Sequence, residues 1–231
     1  KRILEAYDYD LPDSIKVCFA NTGKEMPETL DFVHECEKRW NVDVHWLELE
    51  ISDTRPIWRT KEVNYETASR NGEPFDILLD KRNALPNPVM RLCTQELKVN
   101  VMKRYMKSLG IDEWYNVLGL RQDESSRVVR ATGKNCMDSW ISICPLANQG
   151  ITNNDIVKYW RNNNFDLQLP LIDDKTAAGN CDLCYLKGTK TLVNLIAEKP
   201  ELADWWIEKE NKFNYYFRKD RPEYERLVEI S

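Results

Sequence analysis

A pair of closely spaced cysteines is the part of this sequence best suited to chemistry. Cys181 and Cys184 lie in residues 179–188 (GNCDLCYLKG), where flanking glycines favour a tight turn that directs both sulfurs towards one ion. Thiolates are soft ligands for zinc and for iron–sulfur clusters, and a Cys-x-x-Cys turn commonly supplies two of them. One such pair is half of a four-ligand site, so other ligands must come from elsewhere in the chain.

Cys93 is the best candidate for a third ligand. It lies in residues 91–98 (RLCTQELK), where a helix is predicted to begin, and a helix N-terminus stabilises a thiolate relative to the neutral thiol. Cys136 and Cys144 lie outside any metal-ligand spacing, and each is either a fourth ligand or a free buried cysteine. The alternative to a metal site is a chance pair of loop cysteines plus one buried cysteine.

A second stretch with chemical potential is residues 121–127 (RQDESSR), which follows a predicted core strand at 116–120. In open α/β sheets, ligands bind outside the carboxyl ends of the strands. Two arginines and two acids at such an end can hold a phosphate or sulfate together with a ribose or a metal ion. The alternative is a charged loop that pairs with itself and faces water.

The first part of the chain predicts the elements that position these groups. Residues 14–20 form a short, nearly continuous apolar run that is typical of a buried strand, and the run ends at a turn over 21–23. Pro27 then begins a predicted helix, and residues 43–50 alternate with period two, like a strand exposed on one side. A strand, a helix and a strand in this order predict a parallel βαβ unit.

Several further residues of this region are predicted to have structural roles. Cys18 in the first strand and Cys36 on the inward face of the helix are interpreted as inert core residues. His34 has no polar cluster near it in sequence and is predicted to lie at the surface or beside a site. For His45, a structural role is favoured over ligation of a metal.

The rest of the chain is predicted to contain helices joined by short strands. Residues 51–90 are basic and interrupted by prolines, which indicates a solvated loop or a lid over an anionic ligand. Periodicity and capping signals predict the following elements: helices at 93–109, 153–162, 192–196 and 200–216, and a strand at 140–146. The aromatic residues near the C-terminus favour packing of a helical cap, with stacking on nucleic-acid bases as the alternative.

Composition limits the class of protein. A chain of 231 residues can bury one substantial core, and 42% hydrophobic with 31% charged residues is ordinary globular composition. No apolar run approaches the roughly 20 residues of a membrane span. The net charge of −5 argues against broad nonspecific binding of nucleic acid. Seven cysteines, an odd number, do not suit a secreted disulfide framework, so a reduced cytoplasmic setting is predicted.

Together the motifs resemble the phosphoadenosine phosphosulfate (PAPS) reductase-like family of the adenine-nucleotide alpha-hydrolase superfamily, in the variant common in phages and bacteria. The resemblance covers nearly the whole chain and rests on these segments: residues 21–25 (NTGKE), 27–29 (PET), 93–98, 119–125 (GLRQDES), 179–188 and 200–206 (PELADWW). It implies an α/β fold with a five-stranded, mostly parallel, Rossmann-like sheet flanked by helices. Residues 1–178 would form the nucleotide-binding domain, and residues 179–231 the cysteine turn and a helical C-terminal extension packed on it.

The resemblance also implies roles for individual residues. The residues implied to bind an adenine nucleotide, ATP or PAPS, are Thr22, Gly23, Gly119 and Arg127. The implied catalytic residues, most of them around the phosphate or sulfate end, are Lys98, Arg121, Asp123 and Glu124. The implied ligands of an iron–sulfur cluster of the 4Fe-4S type are Cys93, Cys181 and Cys184. Zinc is the alternative metal, and magnesium accompanying the nucleotide is left open.

Two features of the family are absent from this sequence. The phosphate-binding loop, Ser-Gly-Gly-(Lys/Arg)-(Asp/Thr)-Ser, would lie where the chain begins, and Lys1 runs directly into what has the pattern of a helix end, so a missing N-terminal piece is expected. A Glu-Cys-Gly-Leu-His-type C-terminus, whose cysteine attacks the sulfonucleotide, is also absent, because no cysteine follows Cys184. Reduction of PAPS by that route is therefore not expected.

Two classes of function follow. The first is an enzyme of sulfur chemistry, either an ATP-dependent sulfurtransferase that releases pyrophosphate or a sulfonucleotide oxidoreductase. Its sulfur acceptor would be a nucleic acid or a protein, and self-association is left open. The second class is a noncatalytic, zinc-stabilised module that recognises a nucleotide, a nucleic acid or a partner protein.

Overall fold

The computed structural model describes residues 1–133, 140–166, 169, 171–172, 175–176 and 179–231. These residues fall into two compact units, of which the first combines Lys1–Tyr105 with Leu167–Ser231 and the second is Met106–Asp166. Residues 179–231 are thus grouped with the N-terminal part of the chain. The separate unit at Met106–Asp166 has no counterpart among the sequence predictions.

The described elements alternate between helix and strand along most of the chain. The helices are α1 (Arg2–Ala6), α2 (Pro27–Trp40), α3 (Glu73–Arg82), α4 (Leu92–Thr94), α5 (Asn100–Ser108), α6 (Ser125–Thr132), α7 (Pro145–Asn148), α8 (Asn153–Arg161), α9 (Thr189–Glu198), α10 (Leu202–Phe213) and α11 (Tyr224–Glu229). The strands are β1 (Val17–Ala20), β2 (Val44–Ile51), β3 (Trp58–Val63), β4 (Trp114–Val117), β5 (Trp140–Ile143), β6 (Leu171–Ile172) and β7 (Lys175–Thr176).

The first unit contains the predicted βαβ arrangement. β1 and β2 pair in parallel, with Val17 opposite Val44, and α2 connects them. Proline at the first turn of α2 suits the helix start, because its missing amide hydrogen would have had no partner there. Leu30 of α2 packs with Trp46 of β2 in the core of this unit. The parallel pairing brings the loop after β1 to the carboxyl end of the strands.

Residues 51–90 contain regular structure, so the prediction of a solvated loop was wrong, while the alternative of a lid over an anionic ligand stays a prediction. β3 pairs antiparallel with β2 as an outer strand of the three-stranded sheet. α3 buries Phe75, Leu78 and Leu79 completely. The strand was missed because its side chains are mostly polar and partly exposed, so its stability comes from pairing with β2 rather than from its own apolar pattern.

The predicted helix over 93–109 is present but contains a π-helical turn. α4, the π-turn Gln95–Val99 and α5 follow one another without a break. Buried Glu96 lies in this turn and accepts a hydrogen bond from Asn100 Nδ2 at 2.9 Å, and Arg82 also pairs with it. The widened turn is therefore anchored by a buried carboxylate, a tertiary feature that periodicity does not reveal.

The second unit contains another parallel strand pair. β4 and β5 pair with Trp114 opposite Trp140, so both predicted strands are present, although they end at Val117 and Ile143. Thr152 caps α8 as predicted, and its hydroxyl donates to Asp155 at 2.6 Å. The α/β fold class is confirmed. The main strands of the described residues form sheets of three and two strands, where the resemblance implied a single sheet of five.

The aromatic C-terminal region packs as a helical cap. Trp206 and Phe217 are fully buried with ring centroids 4.9 Å apart, and Tyr224 stacks on Trp206 at 5.2 Å. Tyr215 and Tyr216 remain about half exposed. The packing interpretation is thus confirmed for the buried rings. In the described part of the chain, no helix has the length and apolar character required to cross a membrane.

Glu48 anchors the loop after β1 from inside the core. Its Oε1 accepts hydrogen bonds from Asn21 Nδ2 and from the Ser69 amide, both at 2.7 Å, and Lys61 Nζ lies 3.1 Å from its Oε2. The Glu48 side chain is completely buried. The charge is therefore stable only while all of these partners are in place.

We expect Glu48→Ala to lower the free energy of unfolding by about 3 kcal/mol. The substitution leaves the side-chain amide of Asn21, the backbone amide of Ser69 and the ammonium group of Lys61 without their shared acceptor. Glu50→Ala, in the same strand but partly exposed, is the control and should cost less than about 1 kcal/mol. Urea unfolding followed by circular dichroism measures both. Equal effects of the two substitutions would show that the buried network contributes nothing specific.

Candidate thiol site

The loop after β1 is held in one conformation by short-range hydrogen bonds. The amide and hydroxyl of Thr22 both donate to Glu25 Oε2, at 2.9 and 2.8 Å. Gly23 adopts φ +77, and a Cβ there would lie 3.0 Å from Pro74 Cδ and 3.1 Å from the Gly72 backbone. Only glycine combines that conformation with that lack of space. Thr22 and Gly23, the implied nucleotide residues, therefore lie in a rigid loop.

The cysteine turn docks directly on this loop. Cys181 forms an isolated antiparallel bridge with Glu25, and the Asp182 amide donates to the Lys24 carbonyl at 2.7 Å. The Thr22 hydroxyl lies 3.6 Å from Cys181 Sγ. Lys24 Nζ and Asp182 Oδ2 form an ion pair at 2.8 Å, with 8% and 5% of the two side chains exposed. Segments from opposite ends of the sequence thus share one buried interface.

Further contacts fix the turn from its other side. Lys187 Nζ donates to the carbonyls of Gly179 and Cys181, at 2.5 and 2.9 Å. Tyr224 donates its hydroxyl hydrogen to the Leu183 carbonyl at 2.6 Å. These bonds satisfy carbonyls that a tight turn leaves without strand partners. Contacts from the C-terminal region therefore support the turn that carries Cys181 and Cys184, although no cysteine lies in the helices that follow it.

Cys93 approaches the same turn from the start of the α4–α5 helix. Its Sγ lies 3.3 Å from the hydroxyl of Tyr185, the residue after Cys184. Five residues advance an α-helix by about 1.4 turns, which would direct Cys93 and Lys98 to different sides. Lys98 lies in the π-turn Gln95–Val99, whose wider winding changes the direction of its side chain relative to an α-helix. Lys98 Nζ lies 3.5 Å from Glu25 Oε1, which forms no hydrogen bond within the described residues.

Burial and charge control the protonation of this cluster. Burial raises the pKa of Cys181 well above its ordinary value, and the Glu25 carboxylate raises it further while Lys98 opposes the shift. Burial also raises the pKa of Cys184, and the charge of Cys93 adds to that effect. Burial disfavours the charged form of Lys98, but Glu25, Cys181 and Cys93 together hold its pKa above the usual value. Lys98 therefore offsets negative charge here, and Lys187 acts in the same sense on Cys184.

The donor set has the chemistry of a soft-metal site. Three thiols, one from the helix start and two from the turn, interact electrostatically with each other and with Lys98. Within the described residues, however, no group of three or more His, Cys, Asp and Glu has an arrangement that would hold a metal ion. The ligand types fit zinc or an iron–sulfur cluster, and their ligand role stays a prediction. Cys136 lies outside the described residues, and Cys144 is buried in the second unit.

The remaining predicted site residues lie in the second unit, around the 3₁₀ turn Gln122–Glu124 that precedes α6. Arg121 Nε pairs with Asp123 at 3.0 Å and its Nη1 with Glu124 at 3.5 Å, while Arg127 also pairs with Glu124. A Cβ added at Gly119 would have no described atom within 4 Å, so there is open space beside this residue. The loop thus pairs with itself, and an incoming anion would have to replace carboxylates as the partner of the arginines.

Two cysteines and two histidines that were not predicted to bind a metal make ordinary packing and ion-pair contacts. Burial raises the pKa of Cys18 and of Cys36 to about 11, which keeps both thiols neutral and unreactive near neutral pH. His34 stacks on Tyr65 with ring centroids 4.1 Å apart, and His45 pairs with Glu62 on the neighbouring strand. These contacts account for both histidines without a metal.

Four residues of the site were given no role by sequence reasoning: Lys24, Glu25, Asp182 and Tyr185. Glu25 and Lys24 belong to the segment that carried the family resemblance, and Asp182 and Tyr185 lie within or beside the cysteine motif. Their proximity to the motifs was the available signal. Their roles depend on contacts across the fold, which that signal does not specify.

Comparison with known proteins agrees with the arrangement of motifs. The chain is 28% identical, over 182 residues, to the "Uncharacterized nin region protein ORF290" of Escherichia phage lambda, an alignment that covers 75% of this chain and 57% of that protein. The chain therefore spans less than two thirds of the length of this relative. Residues 6–176, well over half of the chain, match the phosphoadenosine phosphosulfate reductase domain. On this match, the chain belongs to the phosphoadenosine phosphosulfate reductase domain family.

Proposed function

We propose that this protein is an enzyme of sulfur chemistry that binds an adenine nucleotide, ATP or PAPS, beside a cluster of three cysteines. The observation that carries the proposal is the docking of the cysteine turn on the loop of Thr22 and Gly23, with Lys98 Nζ 3.5 Å from Glu25 and under the electrostatic influence of Cys181 and Cys93. Family membership supports nucleotide-related sulfur chemistry in general terms. The cysteine ligands, the nucleotide contacts and the particular reaction are our inference.

The contacts around Cys181 define a path for its proton. The Thr22 hydroxyl has a single hydrogen, and this hydrogen is donated to Glu25 Oε2 at 2.8 Å. The close contact between Thr22 Oγ1 and Cys181 Sγ is then a hydrogen bond that the thiol donates. In the proposed function, the Cys181 proton moves through Thr22 to Glu25 when the sulfur becomes a thiolate. Lys98 offsets the charge that remains on the sulfur.

Cys93, Cys181 and Cys184 would be the residues that hold the cluster. An iron–sulfur cluster supplies, when bound, electrons or an iron with an open position for a sulfur atom or an outside ligand. The protein's own contribution is to hold the three sulfurs on rigid supports and to keep them away from water. Tyr185 adds a hydroxyl beside Cys93 that can donate a hydrogen bond to its thiolate.

Two reactions fit this site. In sulfur transfer, ATP adenylates the acceptor, pyrophosphate leaves, and a sulfur nucleophile then displaces AMP. In reduction, two electrons from a thiol pair convert PAPS into sulfite and adenosine 3′,5′-bisphosphate, and the pair becomes a disulfide. Within the second unit, Arg121 and Arg127 are the side chains whose charge suits a phosphate or sulfate group.

A zinc-stabilised module is the second candidate. The observation that favours it is the buried, multiply hydrogen-bonded cysteine turn, whose fixed conformation suits a structural role. A structural zinc site is fully closed by protein ligands and supports no turnover. The identity of the bound metal, iron or zinc, would distinguish this candidate function from the enzyme.

Anaerobically purified protein should be brown and contain iron and acid-labile sulfide. Cys181→Ser and Cys184→Ser should each lose most of the metal, because an alcohol does not replace a thiolate ligand. Cys18→Ser, at a partly buried thiol of the same unit, is the control and should keep it. Metal analysis and visible spectra measure the outcome. Full metal content in both turn variants would contradict the assignment, and stoichiometric zinc would favour the module.

Glu25→Gln should lower the pKa of Cys181, because the Glu25 carboxylate disfavours the thiolate. In metal-free, reduced protein at pH 8, alkylation of Cys181 by iodoacetamide should then be faster, since a lower pKa increases the fraction of thiolate. Mass spectrometry of the labelled peptides gives the rate. Glu62→Gln, which removes a charge that raises the pKa of Cys18, should leave Cys181 unchanged. An unaltered Cys181 rate in Glu25→Gln would show that the Glu25 carboxylate does not disfavour the Cys181 thiolate.

Turnover assays separate the two reactions. Release of pyrophosphate from ATP, with nucleic acid or protein supplied as acceptor, indicates sulfur transfer, whereas release of sulfite from PAPS with thioredoxin indicates reduction. In whichever assay is positive, Arg121→Ala should lower kcat/KM by at least about tenfold. Arg130→Ala, at an exposed position of α6, should have little effect. Equal rates for the two arginine variants would exclude the loop from catalysis.

A further inference from the structure

Lys24 and Asp182 form a buried ion pair that joins the loop of Thr22 to the cysteine turn. Their charged atoms lie 2.8 Å apart, and neither side chain is more than one-tenth exposed. Each group has a second support. Lys24 Nζ lies 5.2 Å from the centre of the Trp205 ring, and Asp182 Oδ1 accepts from Trp206 Nε1 at 2.9 Å. The pair is thus a fixed connection between the two segments.

Burying two charges is a poor way to gain stability. Removing an ammonium and a carboxylate from water costs about as much as their attraction returns, so an apolar pair of similar size would serve as well. A buried ion pair instead restricts the geometry of the two segments, because either charge is strongly destabilising when it is separated from its partner. The geometry fixed here is the backbone pairing of Lys24 with Asp182, next to the contact between Thr22 and Cys181.

We infer that Lys24 and Asp182 are positioning residues that hold Cys181 Sγ against Thr22 and so join the loop assigned to the nucleotide to the reactive thiol. The inference rests on the proposed function in taking Cys181 as the functional thiol. Neither Lys24 nor Asp182 touches a reacting atom. Their effect on chemistry passes through the position and water exposure of the Cys181 sulfur.

The chain offers a close control for Lys24. Lys209 is a second buried lysine whose Nζ lies over the same Trp205 ring, at 5.3 Å. It pairs with Asp76 at 2.9 Å. Lys209 also pairs with Glu208 at 2.7 Å, and its acidic partners are more exposed than Asp182. Lys209→Met therefore removes a buried ammonium group and a contact with the same aromatic ring, but no bond to the cysteine turn.

The test measures iodoacetamide labelling of Cys181 and of Cys36, which lies in α2 of the same unit, in reduced, metal-free full chain. Lys24→Met and Asp182→Asn should each raise the Cys181 rate at least about tenfold, because the turn opens locally, and should leave Cys36 unchanged. Lys24→Arg keeps the charge and should stay within about twofold of the original rate. Lys209→Met should not alter the labelling of Cys181.

The double variant Lys24→Met with Asp182→Asn separates positioning from mere stability. It leaves no unpaired buried charge, so its urea midpoint should recover relative to the single variants, while Cys181 stays reactive. The inference is overturned if the double variant regains the original Cys181 rate, if Cys36 is exposed in parallel with Cys181, or if Lys209→Met has the same effect as Lys24→Met. Metal content of the cysteine variants tests the proposed function separately, so either idea can fail alone.

Discussion

The architecture of the site depends on one contact, the docking of the cysteine turn on the loop after β1. A backbone pairing, a hydroxyl–sulfur contact and the buried Lys24–Asp182 ion pair act together there. Desolvation of the ions makes their net stabilisation small, but it penalises any arrangement that separates them. The consequence is a single permitted position for Cys181, and hence for everything arranged around it.

Charge balance is the second constraint on this site. Burial keeps Cys181 and Cys184 neutral, and Glu25 adds to that tendency, whereas the ammonium of Lys98 opposes it. A ligand or reaction that needs thiolates must therefore be compensated by Lys98 or by its own positive charge. Free thiolates are therefore disfavoured in this cluster, and a cationic ligand would reverse that preference.

The second unit presents a different kind of charge arrangement. Its arginines are paired with the acids beside them, so the loop is electrically satisfied without a ligand. Arg127 is 64% exposed and its ion pair is correspondingly weak. An anion can therefore exchange with the carboxylates at modest cost.

The sequence by itself determined the elements whose signals are local: the βαβ unit, the start of α2 at Pro27, the cap of α8, the cysteine turn and the motifs of the family. Tertiary structure alone decided that β3 is a strand, that the helix after Cys93 contains a π-turn, and that Lys24 pairs with Asp182. The physical reason is the separation of the interacting residues along the sequence. Thr22 and Cys181 are 159 positions apart, and no local pattern of apolar or charged residues specifies which distant side chain a buried group will meet. Such pairings are selected only when burial removes water as the alternative partner.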